Sequence, residues 1–481
     1  MAISNKIKGL FRVSAANFIA LGATMLTSLV LPLAISVEQY GYWQLYSLYL
    51  SYIGFFVLGF NDGIHLNYAS CDYDSEFQSK FKTFFSYLGI VSIIETILLI
   101  GCIVFSLQSD SITTSLAIIV AFNLFPTALQ GLFLYMNQGT LRFKEYSLIS
   151  VIDKIAFLCI MTALLVYRVQ NVLYYIVAFT ITRYLLFIYI YISAKDVFKA
   201  HPKPFSSVVP EIRANYIKGF PLMIAGILGG PSLIVGGRLL IQNRFGIEEF
   251  SEYSFSLNTI VIAAQFISAV ATVFYPLLKR ATKEELPTMY RSFDKVTTLF
   301  SVILLLTYYP AALLVNIVYV KYNGILAYLF LVYPLFIYQC KSNVLIVNAY
   351  KVKNEPWRLI IVNIIGIAIH LVCIGIAYFV SRTVSSIAAA SLISLALWYY
   401  IIQTHILKVE GWAFRKWMLS DAVLISLFVL YNIALTYMFE DVILRLVIGL
   451  TIMTLLCGVI YLVKKNEIMR IAKEFVGLMR D

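Results

Sequence analysis

The sequence alternates long apolar runs with short polar segments along its length. A transmembrane helix needs about 20 consecutive, mainly apolar residues, because each residue adds roughly 1.5 Å along the helix axis. Fourteen runs meet this requirement, so the pattern predicts about 14 transmembrane helices. The predicted spans are 13–36, 42–60, 84–107, 115–136, 149–167, 172–194, 218–241, 251–277, 296–319, 324–349, 359–380, 384–406, 417–438 and 442–463.

Composition supports the same conclusion. Of the 481 residues, 61% are hydrophobic and 13% are charged, whereas soluble domains are about 45–50% apolar and about 25% charged. A water-soluble globule of this length cannot bury so much apolar surface. The fold class predicted is therefore an all-α integral membrane protein with no sizeable soluble domain.

The net charge of +12 would also fit a nucleic-acid-binding protein. However, the basic residues lie in short gaps between apolar runs and form no basic domain. We therefore predict contact with membrane lipids and no nucleic-acid partner. The six cysteines form no disulfide framework and no metal-binding motif. No metal and no cofactor are predicted.

The Lys and Arg residues indicate the orientation of the spans. Taken alternately, the predicted loops carry 28 Lys and Arg residues on one side and 4 on the other. Because positive residues concentrate on the cytoplasmic side, both termini are predicted to be cytoplasmic. The basic N-terminus resembles a signal peptide, but the apolar run after Arg12 is too long and lacks a cleavage site, which predicts an uncleaved first span.

The two halves of the chain match at a constant offset of 210 positions. The matches are Ile7-Lys8-Gly9-Leu10 with Ile217-Lys218-Gly219-Phe220, Val37-Glu38-Gln39-Tyr40 with Ile247-Glu248-Glu249-Phe250, and Glu145 with Glu355. Each half holds six predicted spans, an even number, so both halves have the same orientation. The repeat predicts two parallel six-helix lobes, 1–210 and 211–410. Two extra helices and an amphipathic cytoplasmic tail occupy 411–481.

Three motifs of the first half are followed by related motifs in the second half. Those of the first half are Leu31-Pro32, Glu38-Gln39-Tyr40-Gly41-Tyr42-Trp43 and Leu58-Gly59-Phe60-Asn61-Asp62-Gly63-Ile64. Those of the second half are Phe220-Pro221 and Phe245-Gly246-Ile247-Glu248-Glu249-Phe250. Through about residue 410, the chain resembles the bacterial polysaccharide flippases of the multidrug/oligosaccharidyl-lipid/polysaccharide (MOP) exporter superfamily. Where this family often has an Asp-Arg pair, the chain has Gly237-Arg238.

The resemblance implies two lobes around a central cavity. It also implies a substrate, a polyprenyl-pyrophosphate-linked oligosaccharide, that is turned from the inner to the outer leaflet for surface polysaccharide such as O-antigen, lipopolysaccharide or capsule. The implied location is the bacterial inner membrane. A coupling ion, H⁺ or Na⁺, is a further expected partner.

Charged side chains near the bilayer centre cost roughly 2.5–3.5 kcal/mol on insertion scales, so they usually face a cavity or a partner. The candidate substrate-cavity residues are Arg183, Lys341, Arg238 and Lys154. The candidate residues for ion or proton coupling are Glu95, Asp62 and His370. On this interpretation, replacing Arg183 or Lys341 with alanine abolishes export and leaves protein abundance intact.

Six of the seven candidate residues also have a structural explanation. Arg238 and Lys154 would reach the headgroups, Arg183 and Lys341 would pair with buried acids, and Glu95 would be the partner of Arg183. His370 would serve as a hydrogen-bonded packing residue.

Other functions remain open from the sequence. One is an ion-coupled multidrug exporter of the same superfamily, although its cavity should be acidic or aromatic. Another is a membrane polysaccharide polymerase or glycosyltransferase, which would need a large outer loop. The predicted outer loops are short, and no nucleophile or nucleotide-binding motif is present. We therefore predict a transporter and no enzyme.

Overall fold

The structure is a computed structural model that describes residues 2–69, 71–106, 111–260, 284–353, 355–411 and 415–458, with residues 278, 282 and 462. Within these residues the chain forms helices and no strand. The chain divides into two compact units, Met1–Ile227 and Leu228–Asp481. The division into 1–210, 211–410 and 411–481 stays a prediction.

The first unit is built from ten helices in the described residues. They are α1 (Ala2–Ala34), α2 (Val37–Tyr52), α3 (Phe60–Asn67), α4 (Ser75–Ser106), α5 (Ser111–Phe122), α6 (Leu124–Gly139), α7 (Phe143–Val166), α8 (Val172–Ser193), α9 (Lys195–Lys199) and α10 (Phe205–Leu228).

The second unit contains eleven helices in the part of the chain that is described. They are α11 (Val235–Arg244), α12 (247–260), α13 (Leu286–Leu306), α14 (Tyr308–Val318), α15 (Leu329–Val332), α16 (Leu335–Lys341), α17 (Asn348–Val352), α18 (Pro356–Ser381), α19 (Val384–Glu410), α20 (Arg415–Met438) and α21 (Val442–Gly458).

The all-helical, multi-pass membrane architecture is confirmed. Ten helices of the described residues are long and apolar enough to cross a membrane, or up to 12 if each of two broken helix pairs is one span. Side chains such as Phe105 (90% exposed) and Val380 (81% exposed) point outward, as expected of lipid-facing positions. The count of 14 stays a prediction, since 261–277 and the amphipathic tail lie outside the described residues.

A sharp break separates α2 from α3. The chain passes through a 3₁₀ turn at Ile53–Val57, and then Leu58 and Gly59 adopt positive φ angles of 50° and 78°. The helices on either side of this break meet at 62°. Positive φ is uncommon for a residue with a side chain, so Leu58 marks a constrained bend that sets the direction of α3.

The core of the first unit is rich in phenylalanine. Phe77 and Phe81 of α4 stack at 5.4 Å between ring centroids, and Phe81 also contacts Phe133 of α6. These rings belong to one buried cluster that joins α3, α4, α6, α7, α8, α9 and α10. Such rings bury large apolar areas and hold the helices in register around the polar groups described below.

The core of the second unit is rich in tyrosine and contains an irregular helix. Trp398 of α19 donates a 2.8 Å hydrogen bond to the carbonyl of Val362 in α18, and Gly366 gives the indole ring its space. Between α16 and α17, residues Ser342–Val347 form a π-helical segment. Segments of this kind often lie at functional sites, and Lys341 is the residue directly before this one.

Two pairs of helix boundaries keep the offset of the sequence repeat. The helix α2 begins at Val37 and α12 begins at 247, while α1 ends at Ala34 and α11 ends at Arg244. Both pairs differ by 210 positions, which is the offset of the sequence matches. The starts of α7 and α18 differ by 213 positions instead, and the repeat of two six-helix lobes stays a prediction.

The predicted orientation can be tested at two exposed loops that flank α8. Gln170 precedes α8 and His201 follows α9, and both residues are exposed. In a variant without the six native cysteines, Gln170→Cys should react with a membrane-impermeant maleimide added to whole cells, whereas His201→Cys should react only after lysis. Labelling of His201→Cys from outside would overturn the orientation predicted from the basic residues.

Candidate functional site

Arg183 lies in the middle of α8 and is buried within the first unit. Its guanidinium donates to Asn123 Oδ1 at 3.2 Å, Thr127 Oγ1 at 2.9 Å and Gln130 Oε1 at 3.5 Å. The three acceptors come from one stretch at the start and middle of α6. Neutral oxygens therefore satisfy the arginine in this conformation, and they leave its positive charge without a directly bonded acid.

This arginine belongs to a longer chain of polar contacts, the Arg183 network. The network consists of Tyr46, Asn123, Thr127, Gln130, Asp153, Lys154, Thr180 and Arg183. Gln130 Nε2 lies 3.5 Å from Asp153 Oδ2, and Asp153 Oδ1 lies 3.3 Å from Lys154 Nζ. The structure thus connects two of the predicted residues, Arg183 and Lys154, through two side chains.

The exposed fraction of the side chains changes along this network. Asp153 is almost fully buried, whereas the side chain of Lys154 is 32% exposed. Lys154 also donates to the carbonyl oxygen of Ser150 at 2.9 Å. The ammonium of Lys154 is therefore the accessible end of the network, and the guanidinium of Arg183 is its buried end.

Lys341 is completely enclosed in the second unit. Its ammonium donates to Asp294 Oδ1 at 2.7 Å, to Thr298 Oγ1 at 2.8 Å and to Asp421 Oδ2. We call these four residues the Lys341 cluster; it connects α13, α16 and α20. The buried pairing with acids that the sequence offered as the structural explanation of Lys341 is thus formed.

Sequence reasoning did not identify Asp294 and Asp421 as site residues. Asp421 could have been selected from the sequence, because it is a charged residue inside the predicted span 417–438. Asp294 was harder to select, because it precedes the predicted span 296–319 and is followed by the basic residue Lys295. Their meeting at Lys341 depends on contacts across 47 and 80 positions, which no local pattern reveals.

His370 of α18 makes hydrogen bonds through both ring nitrogens. The backbone N–H of Gly237 donates to Nε2 at 3.0 Å, and Nδ1 lies 2.9 Å from Ser394 Oγ. Ser394 also donates to the carbonyl of Ser391. The ring is therefore neutral in this packing, because a doubly protonated ring could not accept from Gly237.

Replacing His370 with alanine should destabilise the second unit. The change leaves the buried N–H of Gly237 without an acceptor, at a cost of about 1–3 kcal/mol. Thermal unfolding followed by size-exclusion chromatography should show a lower midpoint for His370→Ala. The exposed His405→Ala on the adjacent α19 serves as the control and should leave the midpoint unchanged. Equal midpoints for the two variants would contradict the packing role.

Arg238 is half-buried on α11. It donates to Ser254 Oγ at 3.0 Å, and its guanidinium lies 5.3 Å from the ring centroid of Phe250. Both contacts hold α11 against α12. A cation above an aromatic face gains roughly 0.5–2 kcal/mol, depending on how well it is shielded from water.

The remaining predicted residues lie in the first unit. Asp62 is in the first turn of α3, where the helix N-terminus favours a negative charge, and the ring of His65 lies 4.9 Å from that of Tyr135. Glu95 lies on α4. Within the described residues neither carboxylate forms an ion pair, and the expected pairing of Glu95 with Arg183 is not formed. The predicted coupling roles of Asp62, Glu95 and His370 stay predictions.

No family model matches this sequence, and no curated protein matches it either. Solved structures do match its fold. The lipid II flippase MurJ in an inward closed conformation has a TM-score of 0.68 and 13% identity, and the match covers 96% of this chain and 100% of that chain.

Two other matches are transporters of the MOP superfamily. An inward-facing multidrug resistance transporter of the MATE family has a TM-score of 0.58 and 13% identity, covering 82% of this chain and 99% of that chain. A MOP superfamily transporter from Pyrococcus furiosus, described as having a binding pocket of reverse polarity, has a TM-score of 0.57 and 13% identity. The match covers 88% of this chain and 96% of that chain. The chain therefore has the fold of the MOP superfamily transporters.

Proposed function

We propose that this chain is a flippase that moves polyprenyl-pyrophosphate-linked oligosaccharides from the inner to the outer leaflet of a bacterial inner membrane. The observation that carries the proposal is the likeness to a lipid flippase over 96% of the chain. The part of this chain that the match leaves out is shorter than α20, which has 24 residues. The likeness therefore extends at least into α20, the first helix that follows the repeat.

The chemistry of the Arg183 network suits an anionic headgroup. A pyrophosphate that enters the membrane needs cationic partners, and arginine and lysine are the usual ones. Lys154 is accessible, and Asp153 lies 3.3 Å from its ammonium. In the proposed function, the pyrophosphate first contacts Lys154 and then competes with Thr127 and Gln130 for the guanidinium of Arg183.

Reconstitution tests this function. The protein is placed in liposomes that contain a short-chain polyprenyl-pyrophosphate oligosaccharide with a fluorescent label, and an impermeant reductant bleaches the label in the outer leaflet. The proposal expects the bleached fraction to rise from the outer-leaflet share towards the whole pool when the protein is present. Bleaching equal to that of protein-free liposomes would overturn it.

Arg183→Ala should abolish flipping in this assay, because the network then lacks its buried cation. Arg183→Lys should retain only a small part of the rate, since an ammonium cannot reach three acceptors in the planar arrangement of a guanidinium. Lys144→Ala is the matched control: Lys144 is an exposed lysine on α7, the helix that carries Lys154. A flipping rate for Arg183→Ala equal to that of Lys144→Ala would remove Arg183 from the mechanism.

A multidrug exporter is the second candidate. It is favoured by the fold shared with MATE transporters. The same liposomes, loaded with ethidium and given an ion gradient, discriminate between the candidates. Gradient-driven ethidium movement without lipid flipping would favour the exporter.

A further inference from the structure

The Lys341 cluster contains two carboxyl groups and one ammonium group. The side chains of Lys341, Asp294 and Asp421 are 1%, 10% and 0% exposed, so none of the three charges is solvated by bulk water. If all three groups were ionised, the cluster would carry one uncompensated negative charge. Burying such a charge is far more costly than neutralising it with a proton.

Among the described side chains, the charged groups that act on Asp421 are Lys341 and Asp294. All three protons of the Lys341 ammonium are used, by Asp294, Thr298 and Asp421. In the part of the chain that the structure describes, the further titratable groups that interact with the two carboxyl groups are Tyr290 of α13, Tyr338 of α16, and Tyr399 and Tyr400 of α19, with Tyr350 of α17 behind Tyr290. All are tyrosines, which are neutral below pH about 10.

The hydroxyl groups of three of these tyrosines are already engaged. Tyr290 donates to Gln403 Oε1 at 2.8 Å, and the hydroxyls of Tyr338 and Tyr400 lie 3.5 Å apart. The oxygen of Thr298 lies 3.0 Å from Asp421 Oδ1 and gives that carboxyl a hydrogen bond but no charge. The electrostatic balance of the cluster therefore depends on the two carboxyl groups themselves.

We propose that the Lys341 cluster is a proton-binding site, in which Asp294 and Asp421 together hold one proton that is exchanged during transport. A sodium ion fits this site less well, because the Lys341 ammonium already occupies the space between the carboxyl groups and repels a second cation. The binding of a proton by the cluster is inferred from its geometry alone. The exchange during transport rests on the proposed function.

The cluster also has an entry route and a moving part. Asp294 is the partly exposed member, so protons reach the site through it, while Asp421 is closed off. Loss of the proton leaves a negative charge between α13 and α20, which loosens their contact. The adjacent π-helical segment Ser342–Val347 gives α16 a place to change its hydrogen-bond register.

Infrared spectroscopy of the full chain in lipid nanodiscs tests the proton directly. The wild-type protein should show a protonated-carboxyl band at neutral pH that disappears at high pH. Either single substitution, Asp294→Asn or Asp421→Asn, should abolish this band, because the remaining aspartate then balances Lys341. Glu410→Gln, which removes a carboxyl group paired with Lys353 outside the cluster, should retain it. A band unchanged in both aspartate variants, or absent from the wild type, would overturn the proposal.

A second measurement tests exchange during transport. Flipping by the wild-type protein should respond to a pH gradient across the liposome, and Asp421→Asn should lose that response. Lys353→Gln, at an ion pair with Glu410 outside the cluster, should keep it. Absence of any wild-type flipping would overturn the proposed function and leave the infrared result standing. A gradient response retained by Asp421→Asn would overturn the exchange alone.

Discussion

Lys341→Ala is expected to destabilise the protein by roughly 3–5 kcal/mol, the usual cost of removing one member of a buried ion pair. The substitution leaves Asp294 and Asp421 facing each other without the ammonium that binds both. We expect low abundance in the membrane and a lower unfolding midpoint. On the sequence alone, this variant is expected to keep its abundance; the two buried aspartates change that expectation.

The charge origin of this effect can be separated from the loss of packing. The triple variant Lys341→Met, Asp294→Asn and Asp421→Asn has no charge left to bury and should recover most of the midpoint. Lys353→Ala removes a lysine from the ion pair with Glu410, which is partly exposed, and should change stability by at most about 1 kcal/mol. A triple variant as unstable as Lys341→Ala would show that packing, and not charge, sets the effect.

The helices themselves were largely predictable, because the membrane requires each spanning segment to satisfy its own backbone hydrogen bonds. Length and apolarity alone therefore locate α4, α7, α8, α18 and α19. The interruptions were less visible from the sequence. The π-helical segment Ser342–Val347 lies inside the predicted span 324–349 and contains no glycine or proline, so no helix-breaking residue marks it in the sequence.

The candidate sites were predictable one residue at a time but not as groups. A charge inside an apolar run is conspicuous, which is why Arg183, Lys341 and His370 could be selected. Their partners were not conspicuous, since asparagine, threonine and glutamine occur along many spans. The link from Arg183 through Gln130 to Asp153 joins three helices, and only the packing of α6, α7 and α8 brings these residues together.

The close approach of α10 to α3 and the turn before α3 depends on three glycines, Gly59, Gly63 and Gly219. A Cβ atom on Gly219 would collide with the backbone carbonyl of Gly59, and one on Gly63 would collide with the backbone of Asn215. Small residues let helices approach closely in a membrane, where polar bonds then join them. Here Lys218 Nζ donates to Asn67 Oδ1 at 2.7 Å, beside this contact.

Gly219→Ala is therefore expected to destabilise the first unit. Two effects oppose each other: alanine gains up to about 1 kcal/mol of helix propensity over glycine, while overpacking costs about 1–3 kcal/mol. The colliding atoms on α3 belong to the backbone and cannot rotate away, so we expect the upper end of the packing cost and a net loss of about 2 kcal/mol. Thermal unfolding of the purified protein measures this loss.

Gly226→Ala on the same helix separates the two effects. A Cβ at Gly226 meets nothing within 4 Å, so only the propensity gain applies there. We expect its unfolding midpoint to stay level or rise, while that of Gly219→Ala falls. Midpoints that shift in the same direction would show that the backbones of α3 and α10 are not in close contact in the membrane. Opposite shifts would identify Gly219 as a position where the approach of two helices, and not helix formation, requires glycine.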